Sequence, residues 1–239
     1  MTKNRIWELD ALRGFCILGM VAFHLIYDMT NLYHLVDWQL PPFLDLVQLV
    51  GGGVFLVLSG LCVTLGSRSV RRGLIVFGSG MLCTLVTAGM YRFGMAGESI
   101  IIRFGVLHCL GICMLLWPLV KKLPTWALAV LGAVIVAIGL YIDAADIRSP
   151  LRFLYPLGIL YPGFSSADFF PLLPCLGWFL LGAVLGRTVY RKKQTLLPKV
   201  NDRNPILRFL CFCGRQSLFI YLLHQPLLSG ILSLVTMLK

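Results

Sequence analysis

The sequence predicts an all-α fold: a polytopic integral-membrane helix bundle of about seven transmembrane helices, N-terminus cytoplasmic and C-terminus outside. Three observations predict it. The chain of 239 residues is 58% hydrophobic and 13% charged, with a mean hydropathy of +0.86, whereas soluble domains carry about 25% charged residues. Several apolar stretches approach the ~20 residues that cross a hydrocarbon core. The basic residues are also unevenly shared between alternate connections, which is the orientation signal of membrane helices.

Spans are expected at 12–31, 43–66, 72–91, 101–120, 124–142, 169–188 and 216–237. Lys3 and Arg5 before the first superficially resemble a signal peptide. Glu8, Asp10, the length of the span and the lack of an A-x-A-like cleavage site instead predict a retained first helix. The second opens near Asp45 and carries Gly51, Gly52 and Gly53. Each glycine costs a helix about 1 kcal/mol against alanine, so the run predicts a close backbone approach or a break. Arg68, Arg71 and Arg72 lead into the third, and the fourth carries Arg103 and His108. Between the fifth and sixth, the connection 143–168 opens with DAADIRSP and continues as LRFLYPLGILYPGF (151–164), apolar and aromatic but interrupted by Pro156 and Pro162. That connection is too short to span and is expected to lie in the interface or fold back over the bundle. Gly182 and Gly186 in the sixth form a GxxxG helix-packing pair. The basic stretch 187–215 ends in ILRFLCFC (206–213), which predicts a short interfacial helix before the last span. One integral domain over 1–239 is expected, with no soluble module.

With the N-terminus inside, only Arg92, Arg103, Arg148, Arg152 and Lys239 of the 21 basic residues fall outside. The net charge of +11 is therefore mostly an orientation signal, and no nucleic-acid partner is expected. The eight cysteines form no CxxC pair. Most lie in predicted spans and read as small buried apolar residues. Cys109 and Cys113 share a helix face beside His108, but no carboxylate or second histidine is near in sequence, so no metal is expected.

Ionisable groups inside a bilayer default to a functional hypothesis. The first span reads DALRGFCILGMVAFHLIYD (10–28), with Arg13 near one end and His24 and Asp28 towards the other. Arg13 and His24 are about 16 Å apart along a helix, roughly half a hydrocarbon core. His24, Asp28 and Asn31 form an i, i+4, i+7 stripe, and Ser217, Tyr221 and His224 repeat that spacing in the last span. An imidazole titrates near neutrality, and a neighbouring carboxylate fixes its tautomer and raises its basicity, which suits proton abstraction from a hydroxyl or amine. Against this, a single intramembrane histidine is often an interhelical hydrogen-bonding residue. The Arg68, Arg71 and Arg72 cluster suits phosphate, yet also reads as the positive-inside signal. His34, in a short outer loop with Tyr33 and Trp38, also reads as an interfacial belt residue.

These residues carry a resemblance. ELDALRGFCILGMVAFHL resembles the opening of the integral-membrane acyltransferases, in which an acid, an Arg-Gly pair and a histidine further on mark the first helix. GGGVFLVLSGLCVTLG, RFGVLHCLGIC, DFFPLLPCLGWFLLGAVLG and GRQSLFIYLLHQPLL are similar, in order, to the catalytic domain of heparan-α-glucosaminide N-acetyltransferase and its bacterial relatives. The resemblance covers nearly the whole chain. It implies transfer of an acyl group, acetyl or another, from cytosolic acyl-CoA to a sugar or glycan acceptor on the far side. It implies a histidine base at His24, as in the broader acyltransferases, or at His34, which corresponds to the outer-loop histidine of the lysosomal enzymes. Asp45 matches an acid downstream of that histidine. The chain is shorter than the lysosomal enzymes, which points away from heparan and towards a bacterial-type envelope glycan.

The expected site is therefore His24, oriented by Asp28 or Asp45, with His34 as the competing base. Arg13, Arg68, Arg71 and Arg72 would bind acyl-CoA, and Arg103, His108, Tyr221 and His224 would line the acceptor side. Direct transfer and an acyl-histidine route both stay open. The competing class is a proton-coupled transporter or permease, which would also place His and Asp in a bundle; no inverted repeat is visible for it. A non-enzymatic scaffold is the third reading. The expected setting is the bacterial cell membrane, with the lipid bilayer as partner and a homodimer allowed.

Overall fold

The computed structural model describes residues 6–38, 43–198 and 204–238, with side chains described except at 43–49. Among these residues the architecture is all-helical, apart from two isolated β-bridges. Helices α1 (Trp7–Tyr27), α2 (Phe43–Leu65), α3 (Ser69–Arg92), α4 (Val106–Val120), α5 (Thr125–Ala144), α6 (Leu172–Thr188) and α8 (Ser217–Met237) occupy the expected spans. The additional α7 (Pro205–Arg215) takes the place of the short helix expected at 206–213. Trp7–Leu32, α3, α5 and α8 are long and apolar enough to cross a membrane; α4, α6 and the Val50–Leu65 part of α2 are shorter apolar helices. Their outward faces are apolar as well, with Leu82, Leu85, Trp126, Val130, Leu227 and Ile231 all exposed. Helices that are apolar on their unpacked side belong in lipid.

Two boundaries differ from expectation. Residues 101–105 are extended rather than helical, and α4 begins only after Gly105. Their backbone is engaged elsewhere: the Ala167 N–H donates to the Ile101 carbonyl (3.2 Å) and the Phe170 N–H to the Phe104 carbonyl (2.9 Å). Beyond Tyr27 the first span widens into a π-helical turn, Asp28–Leu32. Such turns are rare and gather at functional sites.

The chain divides into two compact units, Met1–Phe55 with Lys192–Lys239, and Leu56–Arg191. In the first, α1 packs against α7 and α8. A Cβ at Gly14 would overlap the Leu210 carbonyl and one at Gly214 the Asp10 carbonyl, so α1 and α7 meet backbone to backbone. The Asn204 side chain caps α7 by accepting from the Ile206 N–H (2.9 Å), with Pro205 in the first turn. Burial pushes the Cys211 and Cys213 thiols of α7 up, so both stay protonated. On the opposite side α7 exposes Ile206, Phe209 and Phe212 beside Arg208 and Arg215, the composition of an interfacial helix. The Glu8 carboxylate accepts from the Thr195 hydroxyl (2.8 Å) and the Leu196 N–H (2.7 Å), tying the basic connection to the start of α1.

In the second unit α3 packs on α4 and α5 on α6. The GxxxG pair lies at a helix contact, as expected: a Cβ at Gly182 would overlap the Val57 carbonyl. Arg187 donates to the Lys121 and Leu123 carbonyls beyond the end of α4 and lies over the Trp117 ring (5.3 Å to its centre). The connection after α5 folds back on its own unit. Tyr155, Tyr161, Phe164 and Phe169 pack ring against ring with Phe104, and Arg152 lies over Tyr161.

Gly182→Leu forces α2 and α6 apart and is expected to destabilise the purified protein by about 1–3 kcal/mol or more, the usual cost of overpacking. Gly19→Ala, where nothing lies within 4 Å of a new Cβ, is expected to be neutral or stabilising. Thermal unfolding of both variants in detergent checks the contrast.

Candidate active site

The first unit holds a half-buried polar cluster along the α1–α8 contact, with Asp28 as its buried member. The helical repeat of α1 puts His24 and Asp28 one turn apart on one face, and the α8 sequence puts His224 and Gln225 side by side opposite them. The His24 and His224 rings lie 5.0 Å apart, centre to centre. Asp28 is 2% exposed and accepts from Gln225 Nε2 at 2.8 Å. His224 Nδ1 donates to the Tyr221 carbonyl, and the Tyr221 ring lies 5.5 Å from that of His224. Two atoms in the cluster have no hydrogen-bond partner among the described residues: His224 Nε2 and Gln225 Oε1. Leaving a buried polar atom unpaired costs about 1–3 kcal/mol, so each calls for an explanation.

The π-helical turn sets the outer end of this cluster. It breaks the i+7 register, so Thr30 is buried while Asn31, expected on the stripe, is exposed. The Thr30 hydroxyl donates back to the Ile26 carbonyl (2.9 Å). Just past the turn, Tyr33 Oη lies 3.1 Å from the Ser229 carbonyl and 3.0 Å from Ser233 Oγ, fastening it to α8. His34 follows, exposed and in the left-handed region (φ 47°).

The second unit has a polar cluster of its own, around His108, which is 3% exposed. The Gly105 N–H donates to His108 Nδ1 (3.2 Å). Thr84 donates its hydroxyl proton to the Ile102 carbonyl (2.6 Å), so at 3.3 Å it accepts from His108 Nε2–H. Both ring nitrogens are thereby engaged, and Phe77 and Phe104 pack against the ring. Arg103 donates to Glu98 and to the Ser165 carbonyl (2.9 Å), and its own N–H donates to Ser166 Oγ (3.0 Å). Asp168 Oδ2 accepts from the Val106 N–H (3.0 Å), capping α4 from 62 positions away in the chain.

Of the expected residues, His24, Asp28, Tyr221 and His224 come together. His108 and Arg103 lie in the other unit, where their polar atoms hold the extended segment 101–105 and the returning connection. The Asp45 side chain lies outside the described residues. Arg13 is half-buried on α1, and Arg68, Arg71 and Arg72 are exposed at the head of α3. Sequence reasoning passed over Gln225 and Asp168. Gln225 carried a signal, as the amide side chain in the middle of the last span, beside His224. Asp168 carried none, because its partner is remote in sequence.

Helices with apolar outer faces and a histidine–carboxylate cluster between two of them define a helical membrane protein. Its family is shown by comparison with known families. Residues 5–226 match the model of the heparan-alpha-glucosaminide N-acetyltransferase catalytic domain. The chain belongs to that family, and so to the membrane acyltransferases. Neither the curated proteins nor the solved structures compared with it give a match.

Asp168→Ala removes the cap from α4 and is expected to destabilise the protein by about 1 kcal/mol, with 2 as the upper end. Asp168→Asn, which keeps an acceptor oxygen, is expected to recover most of that stability. Unfolding midpoints of the two variants check the assignment.

Proposed function

We propose that the protein transfers an acetyl or related acyl group from cytosolic acyl-CoA to a sugar or glycan acceptor on the outer side of the bacterial cell membrane. The whole chain, 1–239, serves as one integral-membrane domain, N-terminus inside and C-terminus outside. The observation that carries the reading is the convergence of His24, His224 and Asp28 in an otherwise apolar setting, in a chain of this family. An imidazole there can take the proton of an attacking hydroxyl or amine while the thioester carbonyl is attacked. The surrounding low dielectric strengthens any charge–charge interaction that forms during the reaction.

Within this reading His24 is the base and Asp28 its acidic partner. Its half-buried place beside the His224 ring favours it over His34, which stands exposed in the loop. Asp45 keeps a role as a second acid. Tyr221 and His224 line the acceptor side; in the other unit His108 is engaged by Gly105 and Thr84, and Arg103 by Glu98 and Ser165. Acetyl-CoA is the proposed co-substrate, and Arg13, Arg68, Arg71 and Arg72 are the guanidinium groups proposed for its phosphates, since guanidinium forks suit phosphate oxygens. The permease reading draws on the same histidines and acid, and the family membership favours the enzyme.

Purified full-length protein given radiolabelled acetyl-CoA and extracted envelope glycans is expected to release free CoA and label a glycan. His24→Ala is expected to lower turnover by about 10²-fold or more, the usual contribution of a general base, and His34→Ala by much less. Loss confined to His34→Ala would move the base to the loop. Absence of CoA release, together with solute uptake in proteoliposomes, would sink the acyltransferase in favour of the permease.

A further inference from the structure

The protons on His224 are fixed by its surroundings. Its Nδ1–H donates to the Tyr221 carbonyl, three residues back on the same helix. A neutral ring bonded in this way carries a bare lone pair on Nε2. That atom is buried and has no partner among the described residues. His24 faces it across the helix contact, with 5.0 Å between ring centres and 56° between ring planes. At that separation a turn about the Cβ–Cγ bond of His24 can bring one of its nitrogens towards Nε2. Catalytic hydrogen bonds often tighten in this way only when substrate is bound.

Asp28 completes the arrangement. Its carboxylate is held by Gln225, whose orientation is decided by chemistry, because only the NH₂ end of an amide can face a carboxylate oxygen. Gln225 follows His224 in the chain, so one turn of α8 presents both the proton acceptor and the group that holds its counter-charge.

Resting on the acetyl-transfer reading above, we infer that His24 and His224 form a two-histidine proton relay, with Asp28, held in place by Gln225, as its counter-charge. As the acceptor's lone pair attacks the thioester carbonyl, its O–H or N–H proton passes to the free nitrogen of His24. His24 gives its other ring proton to His224 Nε2, and His224 becomes an imidazolium with both N–H groups engaged. The C–S bond then breaks, and the proton returns along the same path to the departing CoA thiolate. The products are acetylated acceptor and CoA–SH, with both histidines neutral again. His224 is thus a positioning and proton-storing residue that acts through His24, and Gln225 acts through Asp28.

The test uses the full-length protein in lipid nanodiscs, with acetyl-CoA and extracted envelope glycans as probes and CoA release as readout. His224→Gln is expected to lower kcat by about 10²-fold while the KM for acetyl-CoA stays within about two-fold of wild type. His224→Gly is expected to regain part of its rate with added imidazole, which a purely structural histidine would not show. Nitrogen-15 spectra of the histidine-labelled wild type are expected to show His224 as the Nδ1–H tautomer, a readout that survives if the variants fail to fold. A His224→Gln variant with wild-type kcat, or His224 as the Nε2–H tautomer, overturns the relay alone. A wild-type protein that releases no CoA overturns the acetyl-transfer reading and the relay with it.

Discussion

Inside a hydrocarbon layer a polar group has no water to turn to, so each hydrogen-bonding atom must find a partner within the protein or be left bare at a cost. That constraint accounts for how both units are assembled. In the second unit it explains why the extended segment before α4, which lacks helical bonds of its own, is stitched by Thr84, Thr87, Ser166 and Asp168. In the first unit it explains the long reach of Gln225 to Asp28 and of Tyr33 to the α8 backbone. Where the constraint is satisfied the groups read as architecture, and where it is left open they read as function.

Two histidines show the contrast. His108 and His224 are both set in apolar surroundings on spans, and composition alone does not tell them apart. Around His108 every hydrogen-bonding capacity is matched: Gly105 donates to one nitrogen and Thr84 accepts from the other. Around His224 the matching stops halfway, with Nδ1 bonded to a carbonyl and Nε2 without a partner among the described residues. A bare acceptor in a dry site is available to a proton in a way that a matched one is not.

Close helix approach is what allows these side chains to meet. Small residues let backbones touch where lipid offers no hydrophobic drive between helices. Gly14 and Gly214 do this in the N-terminal half of α1, and Gly60 and Gly182 between α2 and α6. The same helix α1 then carries a half-buried arginine near its start and a histidine near its end, with Asp28 in the turn that follows, so one element spaces the proposed donor and acceptor chemistries.

By itself the sequence determined the helices, because hydropathy over about 20 residues is a local property that the bilayer's thickness reads directly. The seven apolar spans, the short helix before the last one and the packing role of Gly182 and Gly186 were all legible in this way. So were His24, Asp28, Tyr221 and His224 as candidates, since ionisable groups stand out in an apolar run. Tertiary structure alone decided how they combine. The π-helical turn at Asp28 rotated Asn31 off its stripe, the chain's return through 165–168 engaged Arg103 and capped α4, and Gln225 became the partner of Asp28. The last two outcomes depend on hydrogen bonds between residues some 60 to 200 positions apart, and periodicity along a single helix carries no information about which atoms another helix will present to it.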